Sequence, residues 1–553
     1  MSERAVTAGV SPTDRISTEI EKLRAVVARE PGHSVLQARL GSLLHVKGDN
    51  EGAKRHLRLA VAIDPTLSAA QLDLGKILLR EADMVGAFAA FGAYQTFHPQ
   101  DWMRIRIASA VPALVNSRRD IAILEARVRQ SLKVLSEQEL AFGEVPPRDG
   151  VPLFHLAYYD ILDRPFYEAL AALYRRAWPE LAFTAPHCTG PRKPHPDGKI
   201  HVGFVSSFFY KHSIGNLFHG LIAALDRKHF HVTLATLPNV DDEATERMRK
   251  SADRSLRLTD RYEEARAALA AEALDVLVYP ELGMDNLTYF LAHARLARVQ
   301  CMSWGHPASS GLPSMDYFVS SKLLEAEDAD AHYSEKLVRL STLPSYLIPP
   351  AAGTVKKGRV DFGLDPARRY YLVGQYLFKL HPDFDALLGA ILAADPEGTV
   401  LVVRGKHAAW ERFLMQRLRR TIPEQAGRIQ FVDAMEQQEF FALIGCVDVC
   451  LDVPSFNGGN TTIEALTIGT PVVTLRSRYM RGRVGAAIYQ AMDTMDCVAV
   501  SGAQYVDLAV RAARDPAFRD QVRAKIAANR SKLFRNSETI AEWERFFREA
   551  SAA

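Results

Sequence analysis

A period of 34 residues near the N-terminus constrains the fold of this chain more than any other feature. Three X-Pro dipeptides recur at this spacing: Glu30-Pro31, Asp64-Pro65 and His98-Pro99. The same step relates small and bulky positions, namely Leu40-Gly41 to Leu74-Gly75, Ala53 to Ala87, and Leu57 to Phe91. Small residues let paired helices approach closely, bulky ones fill the gap, and proline begins a helix where no N–H is needed. The pattern predicts stacked helical hairpins within residues 1–99.

This pattern resembles the tetratricopeptide repeat, with two full repeats and a flanking helix. About three repeats are usually needed for a stable stack, so residues 1–99 are expected to pack on the apolar helices within 100–180. The alternative is an ordinary array of helical hairpins with accidental spacing. Repeats of this type form concave surfaces that bind proteins, which makes a polypeptide the expected partner.

Residues 100–197 are predicted to be a connector. The helical pattern continues to about residue 181 but loses its period. The segment Ala185–Gly198 contains four prolines and two glycines, which indicates a linker or long loop.

The remaining two-thirds of the chain alternates short β-branched runs with helical segments. This alternation predicts parallel sheets covered on both faces. A Pro/Gly/Lys stretch, Pro349–Gly358, separates two such series, so we expect two Rossmann-like halves, 198–358 and 359–553. Ligands of open α/β sheets bind beyond the carboxyl ends of the strands, and two facing halves therefore create one deep cleft. Neither half contains GxGxxG or GxxxxGK[ST], which disfavours a nicotinamide dehydrogenase and a P-loop nucleotidase.

Composition narrows the function classes further. The 68 Lys+Arg against 65 Asp+Glu give a net charge of +3, too small for the basic field of a nucleic-acid binder. No apolar stretch is long enough to cross a membrane, and the first residues lack the apolar core of a signal peptide, so a cytoplasmic protein is expected. The five cysteines show no CxxC spacing, which indicates neither a disulfide framework nor a zinc site.

One turn in the second half has the composition of an anion site. The strand VDVCLDV is followed by Asn457-Gly458-Gly459-Asn460-Thr461-Thr462 and then by a helix. Glycines allow close backbone approach, and Asn and Thr at a helix start can direct hydroxyl and N–H groups at a phosphate. The alternative is a plain helix cap. Glu464 lies one turn on, within reach of a ribose diol, and Lys379 follows the strand YYLVGQY at the same rim, where it is either solvated or cancels pyrophosphate charge.

Polar residues also follow strands of the first half. His212 stands near the start of a helix at the mouth of the cleft, as a structural residue or a catalytic one. His306, Ser309, Ser310 and Gly311 follow the strand VQCMSW. The serines lack a GxSxG elbow, so a turn or ligand-contact role is favoured over a nucleophilic one.

Taken together, four segments resemble the O-linked N-acetylglucosamine transferase and SPINDLY family of glycosyltransferases, in its bacterial form with few repeats. They are FVSS with KHSIG, WGHPASSGLPSMDY with HYSEKLVRL, QYLFKLHPDFD, and LDVPSFNGGNTTIEAL with GTPVVTL. The similarity runs from about Ile200 to Val500. It implies the α/β GT-B fold, two Rossmann-like domains facing a cleft that holds a nucleotide-sugar, preceded here by the all-α repeats. It also implies an inverting, metal-independent transfer to Ser or Thr of a protein.

The resemblance makes Lys379 the cation that neutralises the leaving diphosphate, and Thr461 and Thr462 its ligands at the helix start. His212 matches the cleft histidine proposed as base or acceptor-positioning group. This chain departs from the animal enzymes, which have Tyr-Pro-Gly-Thr-Ser-Gly at 306–311 and a histidine at Asn460. In those enzymes the ribose-binding acid stands one position beyond Glu464. These departures flank the expected sugar and ribose contacts, so they bear on which nucleotide-sugar is the donor.

The sequence therefore predicts His212 and Lys379 as catalytic residues. The predicted donor-binding residues are Gln375, Asn457, Gly458, Gly459, Asn460, Thr461, Thr462 and Glu464. Further sugar or acceptor contacts are expected at His306, Ser309, Ser310, Gly311, Glu281 and Asp285, of which Glu281, Asp285 and His306 are reserve bases. No metal and no cofactor are expected beyond the nucleotide-sugar co-substrate, and neither nucleic acid nor a membrane is an expected partner.

The leading hypothesis is a protein O-glycosyltransferase that uses UDP-GlcNAc, with flagellin as a reasonable acceptor. UDP-glucose, GDP-fucose and CMP-nonulosonate are alternative donors. A non-catalytic repeat adaptor is a second class, although an adaptor has no need of a leaving-group cation. A small-molecule or lipid-linked transferase would need an amphipathic basic helix; AWERFLMQRLRRTI has that composition, but a surface helix packed on the second sheet explains it equally well.

Overall fold

A computed structural model describes residues 12–142, 153–238, 240–350, 353, 355–405 and 407–552. The first 11 residues, where a signal peptide was not expected, and parts of the Pro349–Gly358 stretch lie outside these ranges. The described residues form two compact units, one of 12–115 with Phe142 and one of 116–141 with 153–552. Within them, none of the helices combines the length and apolarity needed to cross a bilayer.

The first unit is a helical stack built on the 34-residue period. Its helices are α1 (Pro12–Arg29), α2 (Ser34–Lys47), α3 (Asn50–Ile63), α4 (Ser68–Arg80), α5 (Met84–Phe97) and α6 (Asp101–Ser109). The small and bulky positions meet as the period predicts, because a Cβ on Gly41 would lie 2.7 Å from Leu57 Cγ and one on Gly75 2.4 Å from the ring of Phe91. Glycine is therefore required where α2 crosses α3 and where α4 crosses α5.

The second unit begins with α7 (Arg118–Ser136) and α8 (Arg164–Ala177), which lie in the predicted connector. A short 3₁₀ helix, Phe154–Tyr158, stands between them.

The first Rossmann-like half contains a seven-stranded parallel sheet in the order β3-β2-β1-β4-β5-β6-β7. Its strands are β1 (Ile200–Ser206), β2 (Phe230–Thr236), β3 (Arg254–Arg257), β4 (Val276–Tyr279), β5 (Val299–Ser303), β6 (Tyr317–Ser321) and β7 (Lys336–Leu340). Its helices are α9 (Ser213–Ala224), α10 (Glu243–Lys250), α11 (Tyr262–Ala271) and α12 (Asn286–Ala292). The inner strands β1, β4 and β5 are almost wholly buried, which explains their continuous apolar runs.

The second half contains a six-stranded parallel sheet in the order β10-β9-β8-β11-β12-β13. Its strands are β8 (Arg369–Val373), β9 (Gly398–Val403), β10 (Ile429–Val432), β11 (Val449–Leu451), β12 (Val472–Leu475) and β13 (Val498–Ala499). Its helices are α13 (Pro382–Ala394), α14 (Ala408–Thr421), α15 (Gln437–Cys446), α16 (Asn460–Ile468), α17 (Val484–Ala491), α18 (Gly502–Arg514) and α19 (Pro516–Asn529). Both sheets have the doubly wound order that leaves a crevice at the carboxyl ends of the central strands. The predicted pair of Rossmann-like halves is thus confirmed.

The last helix, α20 (Ser537–Ala552), returns to the first half. Phe547 packs edge-on against Phe204 and Phe230, and Glu542 accepts hydrogen bonds from the N–H groups of Ser341 and Thr342. The domain bounds at 99, 197 and 358 stay predictions. The structure adds that α20, at the end of the predicted 359–553 half, packs on the first Rossmann-like half.

Candidate active site

The turn after β11 is organised around a buried carboxylate, Asp452. One carboxylate oxygen accepts hydrogen bonds from Gln375 Nε2 at 2.6 Å and the Gly458 N–H at 2.8 Å, and the other accepts one from Thr474 Oγ1 at 2.9 Å. Burial raises the pKa of Asp452 to about 6 against the opposing effect of these donors. Asp452 thereby ties the ends of β8 and β12 to the glycine turn, a role that the sequence analysis missed.

Lys379 meets this turn directly. It ends a short 3₁₀ helix after β8, and its Nζ lies 3.4 Å from the carbonyl oxygen of Asn457 and 4.3 Å from the ring centroid of Phe456. The side chain is partly buried, and burial lowers its pKa to about 8 while the charge of Asp452 acts in the opposite direction. The structure thus brings together the lysine and the Asn457–Thr462 turn, which the sequence placed on one rim.

The start of α16 is crowded on its inner side. A Cβ on Gly458 would lie 2.8 Å from Gln375 Nε2 and 3.2 Å from Thr462 Oγ1, so a side chain there would displace Gln375, which donates to Asp452. Gly459 precedes the helix without a side-chain cap. The first N–H groups of α16 and the hydroxyls of Thr461 and Thr462 therefore stand at the positive end of a helix dipole, which suits an anion.

Asn460 and Glu464 line a pocket of about 360 Å³ between the two halves. Glu464 accepts a hydrogen bond from Gln437 Nε2 at 2.8 Å, and burial raises the pKa of its carboxyl. The first half contributes Lys211 and Arg247 to the same pocket. Its volume lies in the range of nucleotide-sized ligand sites.

His212 caps α9 from the first half. Its Nδ1 accepts a hydrogen bond from the N–H of Ile214 at 3.2 Å, and its ring lies beside Phe208 at 4.7 Å between centroids. Burial lowers its pKa, so the ring is neutral near pH 7. Because Nδ1 is the acceptor, the proton of the neutral ring is on Nε2. This geometry favours the positioning role over the role of base.

The reserve bases differ in their surroundings. Glu281 is fully buried, both of its carboxylate oxygens lie 2.9 Å from the donating hydroxyl of Ser206, and burial raises its pKa. Asp285 caps α12 by accepting from the Thr288 N–H at 3.0 Å. His306 is buried and stacks on Phe154 at 5.6 Å, burial lowers its pKa to about 3, and its Nε2 has no hydrogen-bond partner among the described residues.

Ser309 and Ser310 are occupied by a buried glutamate. Ser309 Oγ donates to Glu335 Oε2 at 2.8 Å, and the backbone N–H of Ser310 donates to Oε1 at 2.8 Å. The hydroxyl of Ser310 donates to the same Oε1. Gly311 has a φ of +69° and abuts the backbone of Tyr167. The three residues thus form a tight, glycine-dependent turn. A turn was one of the two roles, turn or ligand contact, that the sequence analysis favoured for the serines.

An aromatic layer from the connector reaches the lysine. Tyr158 packs on Phe378 at 4.7 Å and on Phe456 at 4.4 Å, and Phe154 bridges from His306 to Phe378 at 5.6 and 6.5 Å. The connector was expected to join the repeats to the sheets, and its place beside Lys379 was missed because aromatic residues in a helical region give no signal for a site.

Comparison with known proteins identifies the family. The model of glycosyl transferase family 41 matches residues 181–348 and 352–541. The chain belongs to this family. It is therefore a glycosyltransferase. The family 41 model spans both Rossmann-like halves and so includes the Asn457–Thr462 turn, Lys379 and His212.

Two curated relatives are similar to part of this chain. The probable UDP-N-acetylglucosamine–peptide N-acetylglucosaminyltransferase SPINDLY of Solanum lycopersicum is 24% identical over 389 residues, which cover 64% of this chain and 39% of that protein. The SPINDLY protein of Arabidopsis thaliana is 26% identical over 343 residues, or 58% and 36% of the two chains. The chain thus spans less than half the length of these relatives.

Among solved structures, a point mutant of the Thermobaculum terrenum O-GlcNAc transferase matches with a TM-score of 0.72 and 22% identity, over 98% of this chain and 95% of that one. This likeness shows the shared fold, a helical repeat region followed by the GT-B pair.

Proposed function

We propose that this family 41 glycosyltransferase transfers a sugar, with inversion and without a metal, from a nucleotide-sugar to Ser or Thr hydroxyls of a polypeptide. The observation that carries the proposal is the position of Lys379 Nζ, 3.4 Å from the Asn457 carbonyl at the start of the threonine-bearing turn. An ammonium beside the turn that leads into a helix N-terminus suits a leaving diphosphate.

The charges define the chemistry of this site. When the anomeric carbon–oxygen bond breaks, negative charge develops on the leaving phosphate oxygen. Lys379 and the N–H groups at the start of α16 stabilise that charge, and a partly buried position makes their contribution larger than in water. Asp452 holds the turn in place through Gln375 and Gly458. It is a positioning residue, since its oxygens are already engaged.

The acceptor side draws on the first half. The Nε2–H of His212 is suited to donate a hydrogen bond to the sugar or the acceptor hydroxyl, which must approach from the face opposite the diphosphate. The Nε2 of His306, which has no hydrogen-bond partner within the described part of the chain, is available near the aromatic layer for a hydrogen bond with a substrate group. Glu281 is fully enclosed and engaged by Ser206, so we assign it a structural role.

UDP-GlcNAc is the proposed donor, because the names of the relatives specify a UDP-N-acetylglucosamine–peptide transferase. The pocket at Asn460 and Glu464 offers a partly buried carboxyl for a ribose diol. We propose that the repeats hold the acceptor protein, flagellin being a candidate, and that the enzyme works in the cytoplasm.

A donor panel tests the proposal. The purified chain is incubated with UDP-GlcNAc, UDP-glucose, GDP-fucose or CMP-nonulosonate, with flagellin or a cell lysate, in the presence of EDTA. Intact and peptide mass spectrometry reads the mass added to Ser/Thr peptides, and NMR reads the anomeric configuration. A hexosamine increment with inversion is the expected result.

Two lysine variants test whether transfer depends on the proposed site. Lys379→Met should abolish the increment, whereas Lys322→Met, which removes an exposed lysine elsewhere, should not. Another sugar mass would overturn the donor assignment alone. If donor hydrolysis or transfer were unchanged in both lysine variants, the assignment of the site would be overturned. Binding without turnover of any donor would favour the adaptor hypothesis.

A further inference from the structure

Three metal-ligating side chains converge at the amino-terminal edge of the first sheet, away from the cleft. One ligand atom each from Asp197, His201 and His231 lies within 4.8 Å of the others. His201 is the second residue of β1, and the active-site residue His212 follows the opposite, carboxyl end of that strand. The cluster therefore belongs to neither the donor nor the acceptor site.

The backbone fixes this convergence. In the parallel β1–β2 pair His201 is the register partner of His231, so both imidazoles project from the same face of neighbouring strands, with their ring centroids 4.5 Å apart. Gly198 adopts a φ of +68°, and the turn it makes returns the Asp197 carboxylate to His201. The distance from His201 Nε2 to Asp197 Oδ2 is 3.2 Å.

These distances suit a small divalent ion. Zinc binds imidazole nitrogen and carboxylate oxygen at about 2.1 Å, so two ligands of a tetrahedral site lie about 3.4 Å apart. The Asp197–His201 pair is close to that separation. The third ligand requires the His231 ring to rotate out of its stack on His201, where the two ring centroids lie 4.5 Å apart. Three protein ligands leave one position for water.

The surroundings orient the central ligand. His195 stacks face to face on His201 with 3.5 Å between ring centroids, and its own Nε2 lies 3.3 Å from the buried carboxylate of Asp275. Asp275 also accepts the backbone N–H of His201 at 3.0 Å. A ligand held this way by neighbouring groups loses little freedom when a metal binds.

We propose that Asp197, His201 and His231 form a zinc site that fastens the proline-rich segment to the edge of the first sheet. Its role is structural, because Asp197 belongs to that segment and the histidines to the sheet. The cysteine pattern gave no zinc signal, and these ligands are separated by 3 and 29 intervening residues, a spacing with no motif.

Metal binding to the full chain, without a histidine tag and stripped of metal by a chelator, tests the proposal. Zn²⁺ is titrated calorimetrically at pH 7.5, and the melting temperature is measured with and without the ion. We expect one equivalent to bind and to raise the melting temperature. Asp197→Asn and His231→Gln should each weaken binding by about tenfold or more and abolish the shift.

His229→Gln is the matched control, because His229 is two residues away with a mostly exposed side chain and is outside the cluster. It should bind as the parent does. Each variant's melting temperature without metal shows whether it is folded. No saturable binding by the parent chain, parental affinity in both ligand variants, or an equal loss in His229→Gln would overturn the proposal.

Discussion

The ring of Tyr158 lies 4.4 Å from that of Phe456, the same ring over which the Nζ of Lys379 sits at 4.3 Å. A residue of the connector thus packs against the ring that supports Lys379, the proposed leaving-group cation. Tyr158 is buried and excludes water from this corner of the cleft. The connector is therefore part of the environment that lowers the pKa of Lys379.

Tyr158→Leu should loosen this corner without a large cavity. Admitting water reduces the desolvation of Lys379, so the alkaline limb of the pH profile of kcat/KM should move above about 8 and kcat should fall. Tyr158→Phe keeps the ring and should behave as the parent. The measurement is kcat/KM against pH for the three proteins. An unmoved limb in Tyr158→Leu would mean that the connector does not shield the lysine.

Lys379→Met should lower kcat by about 100-fold or more with a much smaller change in donor KM, because the ammonium acts on charge that develops only in the transition state. Steady-state kinetics with the best donor of the panel separates the two parameters. A variant that loses donor affinity alone, with kcat retained, would show that Lys379 is only a binding residue.

Asp452→Asn tests the charge coupling between the turn and the lysine. The negative charge of Asp452 raises the pKa of Lys379, so its removal should lower that pKa and bring the alkaline limb of kcat/KM below about 8. Activity at mildly acidic pH should be less affected than activity at the alkaline end. Thr474→Val removes one donor to Asp452 and keeps the carboxylate, and is the matched control. A limb that moves upward in Asp452→Asn would contradict the assignment.

His212→Gln and His212→Ala distinguish the two roles of the cleft histidine. Glutamine can donate a hydrogen bond but cannot take up a proton, so a positioning donor predicts that the glutamine variant retains about tenfold more activity than the alanine variant. The pH dependence of kcat should then be unchanged in His212→Gln. Equal losses in both variants, with a lost acidic limb, would restore the role of base.

Much of this architecture could be predicted because its signals are local. The 34-residue period follows from contacts such as Gly75 with Phe91, and the buried strands from continuous apolar runs. The edge strands β3 and β7 were not predicted, since Arg254–Arg257 and Lys336–Leu340 carry charges that a solvent-facing position tolerates.

The site was only partly predictable, because some of its contacts join residues that lie far apart in the sequence. Lys379 and the glycine turn stand at strand ends, where sequence reasoning looks for ligands. Asp452 depends on Gln375, 77 residues before it, and on Thr474, 22 residues after it. Tyr158 depends on Phe456, far along the chain, and no periodicity encodes such a pair.

The connector is held to the second half by a buried ion pair, which supplies the last prediction. Arg481 Nη1 lies 3.0 Å from Asp163 Oδ2, both side chains are almost fully buried, and Arg481 also donates to the carbonyl of Ile161. Burial raises the pKa of Asp163 and the charge of Arg481 opposes it. Removing the arginine leaves a buried carboxylate uncompensated, which typically costs about 3–5 kcal/mol.

Arg481→Leu should therefore lower the free energy of unfolding of the second unit by about 3 kcal/mol, measured by urea denaturation. Arg478 is an exposed arginine that, like Arg481, lies over the ring of Tyr479. Arg478→Leu should lower the free energy of unfolding by less than about 1 kcal/mol. Asp163→Asn combined with Arg481→Leu should recover part of the loss, since no charge is then buried alone. If both arginine variants were equally stable, the pair would not anchor the connector, and its other contacts with the second half, such as Tyr158 with Phe456 and Arg118 with Asp383, would hold it in place.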